Sequence, residues 1–251
     1  MTAFRMKFGA LLCAFNNSWK YVSSAIGMNQ YSYDMETLYD YMTKKGHFNF
    51  LAGDYSAFDQ HYQPQVRQAA YQILARLLGC QGPAWDYLVE HETRSPLQVN
   101  NTLYWFVCGH MSGCFFTTIL NCIVNEIYLR LCFNRICPEL RYDDHVTTKV
   151  LGDDHILAVS DEVIELFNEL SISKVMPFYG QEYTSDDKDR ELNPYPRNFD
   201  QISFLGATPT KLGYSYSGKA RWQTIVNQMT YRKCSPSDFW QQWLTALEMS
   251  Y

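Results

Sequence analysis

Three short polar motifs fall in a fixed order along the chain. They are Asp54-Tyr55-Ser56-Ala57-Phe58-Asp59, then Ser112-Gly113 leading through Thr117 to Asn121, then Leu151-Gly152-Asp153-Asp154. This order constrains the fold more than composition does. Carboxylates so distant in sequence act together only if the chain returns to one place. Phosphoryl transfer on two metal ions is a chemistry that needs such a return. An acidic strand end and an acidic hairpin tip, with helices between them, would encode it.

The local patterns agree with that layout. Residues 48–53 form a short apolar run that ends at Asp54 and reads as a buried strand. Pro64 opens a helix whose spacing runs from Val66 to Leu78 and stops at Gly79. A second helix is expected from Pro83 to about Glu92, and residues 97–107 read as a hairpin around Asn100-Asn101. From Phe115 to Arg130 there is no Gly or Pro, and Thr117, Asn121 and Asn125 recur on one helical face. The runs His145–Leu151 and His155–Ser160 form a hairpin with Gly152-Asp153-Asp154 at its turn. Further on, Val163–Leu170 reads as helix and Pro177–Pro196 as polar loop. Ile202–Leu205 with Tyr214–Tyr216 reads as another hairpin, and the tail from Trp222 as helix broken at Ser235-Pro236. Strands and helices mix without regular βαβ alternation, which predicts an α+β class.

Composition narrows the function classes. With 251 residues and 47% apolar content, the chain can bury a sizeable core, and an aromatic content of 16% argues against disorder. The net charge of −5 is not that of a general nucleic-acid binder, which would carry a basic face. The eight cysteines form no Cys-x-x-Cys pair and have no paired His spacing, so zinc is not expected. Free thiols among apolar residues, such as Cys114 and Cys122, fit a reducing, cytosolic setting. No apolar stretch is long enough to span a membrane, and Met1–Lys7 lacks signal-peptide architecture.

Each motif has a plain reading when taken alone. Gly-Asp is ordinary turn chemistry, Asp54 and Asp59 would each serve as a cap, and Ser-Gly is a common helix start. Context alters the balance at Gly152-Asp153-Asp154, where two strand-like flanks would fix adjacent carboxylates at a rigid tip. Their repulsion is relieved by a divalent cation, and hard oxygen ligands select Mg²⁺ or Mn²⁺.

Together the motifs resemble motifs A, B and C of the picornavirus-like viral RNA-dependent RNA polymerases. Weaker matches extend the likeness. Tyr183-Thr184-Ser185-Asp186-Asp187-Lys188 resembles motif D, Phe204-Leu205 stands at the place of motif E, and Ala25-Ile26-Gly27-Met28-Asn29 resembles the segment before motif A. The chain departs from the pattern at Leu151, where Tyr is common, and at Gly206-Ala207, where a basic pair is usual.

The resemblance implies a polymerase palm with an antiparallel sheet flanked by helices. Residues 1–47 would be a fingers-derived lead, 48–217 the palm with inserted fingers helices, and 218–251 the start of a thumb. It implies that Asp54, Asp153 and Asp154 hold two Mg²⁺ (or Mn²⁺) ions and that Lys188 protonates the leaving pyrophosphate. Asp59, Ser112, Gly113, Thr117 and Asn121 would recognise the incoming nucleotide and its ribose, and Phe204 and Leu205 would grip the primer. A reverse transcriptase would place a bulky aromatic where Asp59 stands. Partners implied are RNA template and primer, NTPs, and the remaining fingers and thumb of the same polyprotein. The setting would be the host-cell cytoplasm, at membrane-associated replication sites. The basic finger motif that binds triphosphate is missing from these residues, which accounts for the acidic balance. Two other classes stay open: a palm-fold scaffold without catalysis, and a two-metal hydrolase, which would not need the Ser112-Gly113 to Asn121 pattern.

Overall fold

Strand β1 (Asn49–Ser56) organises the molecule, because its two edges serve different partners along its length. The computed structural model describes residues 2–80, 82–94, 96–105, 108–110, 113, 116–188, 190–230 and 236–248. In chain order the remaining elements are α1 (Thr2–Ser18), α2 (Asp34–Thr43), α3 (Pro64–Leu78), α4 (Pro83–Thr93), β2 (Leu97–Val99), β3 (Thr102–Tyr104) and α5 (Thr117–Ile136). They are followed by α6 (Tyr142–His145), β4 (Val146–Leu151), β5 (Asp154–Val159), α7 (Glu169–Val175), β6 (Glu182–Ser185), β7 (Ala207–Leu212), β8 (Ser215–Ala220), α8 (Trp222–Thr230) and α9 (Pro236–Glu248).

The main sheet has the order β4-β5-β1-β6, with every pair antiparallel. β1 pairs with β5 from Asn49↔Val159 to Gly53↔His155, and with β6 from Gly53↔Ser185 to Ser56↔Glu182. Pairing with β6 carries the strand past the expected end at Asp54. Alternation then sorts the side chains. Leu51, Tyr55, Val150, Leu157 and Tyr183 join one core with α3, α5 and α7. Phe50, Ala52, Ile156 and Ala158 join a second with Met35, Leu38 and Met42 of α2 and with Phe199, Ile202 and Phe204. Helices therefore cover both faces, because Phe50-Leu51-Ala52 is apolar on both sides and neither face can stay wet.

α3 follows its punctuation. Pro64 occupies the first turn, and Gly79 ends the helix at φ 61°. There Cys80 N–H donates to the Ala75 carbonyl at 2.9 Å and Gly79 N–H to that of Arg76 at 3.2 Å, a Schellman closure. α5 continues beyond Arg130 to Ile136, just before Pro138.

Three expectations are corrected. The helix expected at Val163–Leu170 forms later, at Glu169–Val175, because extended Asn168 caps it reciprocally with Ser171. The segment Pro177–Pro196 contains a strand, β6, stabilised by its pairing with β1. The late hairpin is β7–β8; Phe204 and Ala207 instead exchange backbone bonds around a tight turn with Leu205 at φ 55° and Gly206 at φ 73°. The expected break at Ser235-Pro236 falls partly outside the described residues; α9 begins at Pro236.

Candidate active site

The β4–β5 hairpin turns through Gly152-Asp153, with Leu151 paired to Asp154. Gly152 has φ 67° and is the only turn residue with positive φ, the pattern of a two-residue II′ loop that starts with glycine. On the neighbouring strand, Gly53 is the last residue paired to β5. One position further along the same register, Asp54 stands level with Asp154. Both have the parity of Phe50, Ala52, Ile156 and Ala158, so they share one face of the sheet. The structure thus brings Asp54, Asp153 and Asp154 to one sheet end.

Their fields are felt mutually. Asp154 is pushed up to about 7, first by burial and then by the charges of Asp54, Asp153 and Asp186, with Arg221 opposing. Asp54 is half-buried and also raised, chiefly by burial; Asp153 adds to this. The Tyr55 N–H, which donates to Asp54 Oδ1 at 2.7 Å, and the charge of Lys188 pull it back. Lys188 itself is exposed and lies within reach of Asp54's field.

The turn is fixed from below by side chains of other elements. Asn125 of α5 is fully buried and donates from Nδ2 to the carbonyls of Gly152 at 3.1 Å and Asp153 at 2.8 Å. Its Oδ1 accepts from the Tyr55 hydroxyl at 3.2 Å. Gly152 N–H points to the Cys122 sulfur at 3.3 Å. His155 bridges the Asp153 carbonyl at 3.3 Å and the Tyr183 hydroxyl at 3.2 Å, and burial lowers its pKa to about 4, so it is neutral there. Tyr183 fits only because residue 53 is glycine: a Cβ there would lie 2.2 Å from its hydroxyl. The four-residue spacing of Thr117, Asn121 and Asn125 was the available signal for Asn125; Tyr183 stood at the start of the motif D match without a role, and Cys122 read only as an apolar thiol.

A second group sits beside the first. Asp59 lies in a 3₁₀ turn (Phe58–His61) entered through Ala57 at φ 50°. Its carbonyl accepts from His110 N–H at 2.6 Å, and His110 Nε2 is 3.2 Å from the Thr117 hydroxyl. The Tyr62 hydroxyl donates to Asn121 Oδ1 at 2.6 Å, and its ring stacks on that of His110. Burial raises the Tyr62 pKa first, and the charges of Asp59 and Asp153 add to it, so Tyr62 senses both groups. Gly113 is exposed with φ 93°. Ser112 lies outside the described residues.

Phe204 is buried in the second core. Leu205 is partly buried against the same core.

Among the described residues, no group of three or more His, Cys, Asp or Glu side chains is gathered closely enough to grip a metal as it stands. The chemistry of the donor set nevertheless fits a hard divalent cation. Three carboxylates share one end of the sheet; burial first and the neighbouring carboxylates second raise the proton affinity of Asp154, and a bound cation would offset both.

The sequence matches the family described as viral RNA-dependent RNA polymerase over residues 1–249. The chain belongs to that family. Similar proteins include the replicase polyprotein of Drosophila C virus (strain EB), 29% identical over 209 residues and covering 72% of this chain. The replication polyprotein of Nora virus is 30% identical over 190 residues, also 72% of the chain. The RNA1 polyprotein of Arabis mosaic virus (isolate NW) is 24% identical over 253 residues and covers 95%. The chain spans about a tenth of the length of these relatives: 11%, 9% and 11% respectively.

Proposed function

We propose that this chain is the catalytic part of an RNA-directed RNA polymerase that extends an RNA 3′-OH with NTPs on an RNA template during viral replication. The observation that carries the reading is the meeting of Asp54, Asp153 and Asp154 at one sheet end in a chain of this family. Residues 48–217 form the palm with inserted fingers helices, 1–47 lead in from the fingers, and 218–251 begin the thumb. The remaining fingers and thumb come from the same polyprotein, acting in the host-cell cytoplasm at membrane-associated replication sites. No described helix is long and apolar enough to cross a membrane.

Asp54, Asp153 and Asp154 would hold Mg²⁺ or Mn²⁺, as two ions. When bound, such a pair supplies Lewis-acid activation of the attacking hydroxyl and neutralises charge on the leaving pyrophosphate. The chain's own residues do the rest. Asn125 and Cys122 keep the acidic turn from moving, which is the pre-organisation that phosphoryl transfer depends on. Asp59 and Asn121 read the ribose 2′-OH, with Tyr62 orienting the Asn121 amide through the bond to its oxygen. A site built to bond a hydroxyl rejects the deoxy analogue because its own polar groups would be left unpaired. Gly113 and Ser112 take part in recognising the incoming nucleotide, Thr117 does so with His110 beside it, and Lys188 gives a proton to the pyrophosphate. The turn at Phe204 and Leu205 borders the primer.

The test is primer extension by the complete polymerase carrying these residues, wild type against Asp153→Asn. Templated synthesis lost in the variant supports the reading. NTP hydrolysis without templated addition would point to the hydrolase class, and RNA binding without turnover to a scaffold.

A further inference from the structure

The loop after β6 carries Lys188 and is pinned on both sides of it. On one flank, Asp186 accepts a fork from Arg197, Nη2 to Oδ1 at 2.8 Å and Nη1 to Oδ2 at 3.0 Å, and a further bond from Ser203 N–H at 2.7 Å. On the other, Arg190 Nη2 donates to Glu169 Oε2 at 2.6 Å. The two flanks meet at Glu169, which is fully buried and whose Oε1 accepts from Arg197 Nη2 at 2.7 Å. Arg197 also grips the metal-site strand. Its Nη2 donates to the Ala52 carbonyl at 3.2 Å, and its backbone exchanges two bonds with Phe50, each 3.0 Å. A single guanidinium is therefore bonded to β1 just before Asp54 and to the loop just before Lys188.

These charges are nearly dry: side-chain exposure is 0% for Glu169, 4% for Asp186, 10% for Arg197 and 24% for Arg190. Buried ion pairs add little net stability over apolar packing, because desolvation offsets attraction. What a planar fork does fix is distance and orientation. The loop and strand so joined are those whose charges, on Lys188 and Asp54, act on each other.

We propose that Arg197, with Glu169, Asp186 and Arg190, is a positioning group that sets Lys188 over the Asp54 carboxylate. None of the four touches substrate; they act through Lys188. The inference rests on the polymerase reading above and deepens it.

The test uses the complete polymerase and single-nucleotide addition on an annealed RNA primer–template, with Arg197→Lys, Lys188→Leu and the double variant. Lysine keeps the charge and loses the fork. Arg197→Lys should lower the maximal rate roughly 10- to 100-fold. The half-saturating NTP concentration should move less than about three-fold, since no substrate contact is lost. The double variant should be nearly as active as Lys188→Leu alone, because both changes remove one function. Losses that multiply, an unchanged rate in Arg197→Lys, or a fully active Lys188→Leu enzyme would each overturn the proposal. If Arg197→Lys loses cooperative unfolding, Glu169→Gln, which keeps the shape, is read in the same way. Misfolding of both would overturn the proposal too, since the network would then serve the fold itself. Failure of the polymerase reading is distinct: the wild-type enzyme would add no templated nucleotide.

Discussion

Asn125 gives its side-chain amide to the turn that carries Asp153, meeting the Asp153 carbonyl at 2.8 Å from a fully buried position on α5. The acidic tip is therefore set by a helix remote in sequence as well as by its own hairpin. Replacing Asn125 with Leu removes that tie and leaves the Gly152 and Asp153 carbonyls and the Tyr55 hydroxyl short of a partner. Each such buried group costs about 1–3 kcal/mol. Denaturant unfolding should show a loss in that range or above, and single-turnover rates should fall beyond what reduced folding explains. An Asn125→Leu enzyme of wild-type rate would show that the turn holds itself.

Asp154 gives a pH dependence with a definite sign. Its native value of about 7 lies above the ordinary 3.8, so the folded chain binds more protons between those values. Without metal, the stabilisation from this group is complete below pH 3.8 and is lost as pH rises through about 7. The slope amounts to on the order of 2–4 kcal/mol, and Asp54, raised in the same direction, adds to it. Asp154→Asn should flatten the metal-free curve and leave the variant more stable at pH 8. Mn²⁺ affinity should rise through the same window, since the ion displaces the proton. Calorimetric melting across pH, with and without Mn²⁺, checks both, and a metal-free slope unchanged by the substitution would refute the assignment.

Sugar discrimination should depend on two residues in series. Asn121→Ala should reduce the NTP-over-dNTP preference about ten-fold or more. Tyr62→Phe removes the 2.6 Å bond to Asn121 Oδ1 and should reduce the same ratio by less. Competition between ATP and dATP in single-nucleotide addition measures both. A ratio unchanged in Asn121→Ala would leave Asn121 as a structural helix residue.

Gly53→Ala tests how tightly the strand is packed beside the site. The new Cβ would lie 2.2 Å from the Tyr183 hydroxyl and 2.3 Å from its Cζ, so the ring must move. Overpacking of this kind costs about 1–3 kcal/mol. Because Tyr183 also meets His155 under the acidic turn, activity should fall with stability. Thermal unfolding and primer extension together decide, and a fully stable Gly53→Ala chain would contradict the packing described.

Where chain punctuation and apolar runs governed the outcome, sequence was a good guide. Phe50-Leu51-Ala52 dictated a buried strand, Pro64 and Gly79 bounded α3, and Gly152 placed the hairpin turn. What escaped was set by partners far along the chain. Glu182-Tyr183-Thr184-Ser185 is polar enough to read as loop and is a strand only because β1 offers it an edge. No local pattern shows that Glu169, Asp186, Arg190 and Arg197 bury one another. Asn125 stood in the same four-residue series as Asn121, yet one faces the acidic turn and the other Tyr62, a distinction that the turn's position alone creates.

The handover of β1 from β5 to β6 at Gly53 bears on how this protein can vary. Only even shifts preserve which way a strand's side chains point. A single extra residue between Asn49 and Gly53 would therefore send the Asp54 carboxylate to the side packed by α5, leaving a chain that retains its elements and has lost its acid. Lineages of such sequences should thus tolerate substitution along this strand while keeping its length constant. Selection for replication from a library of one-residue insertions would recover none there, and would recover them freely in the exposed turn around Gly213 and Tyr214.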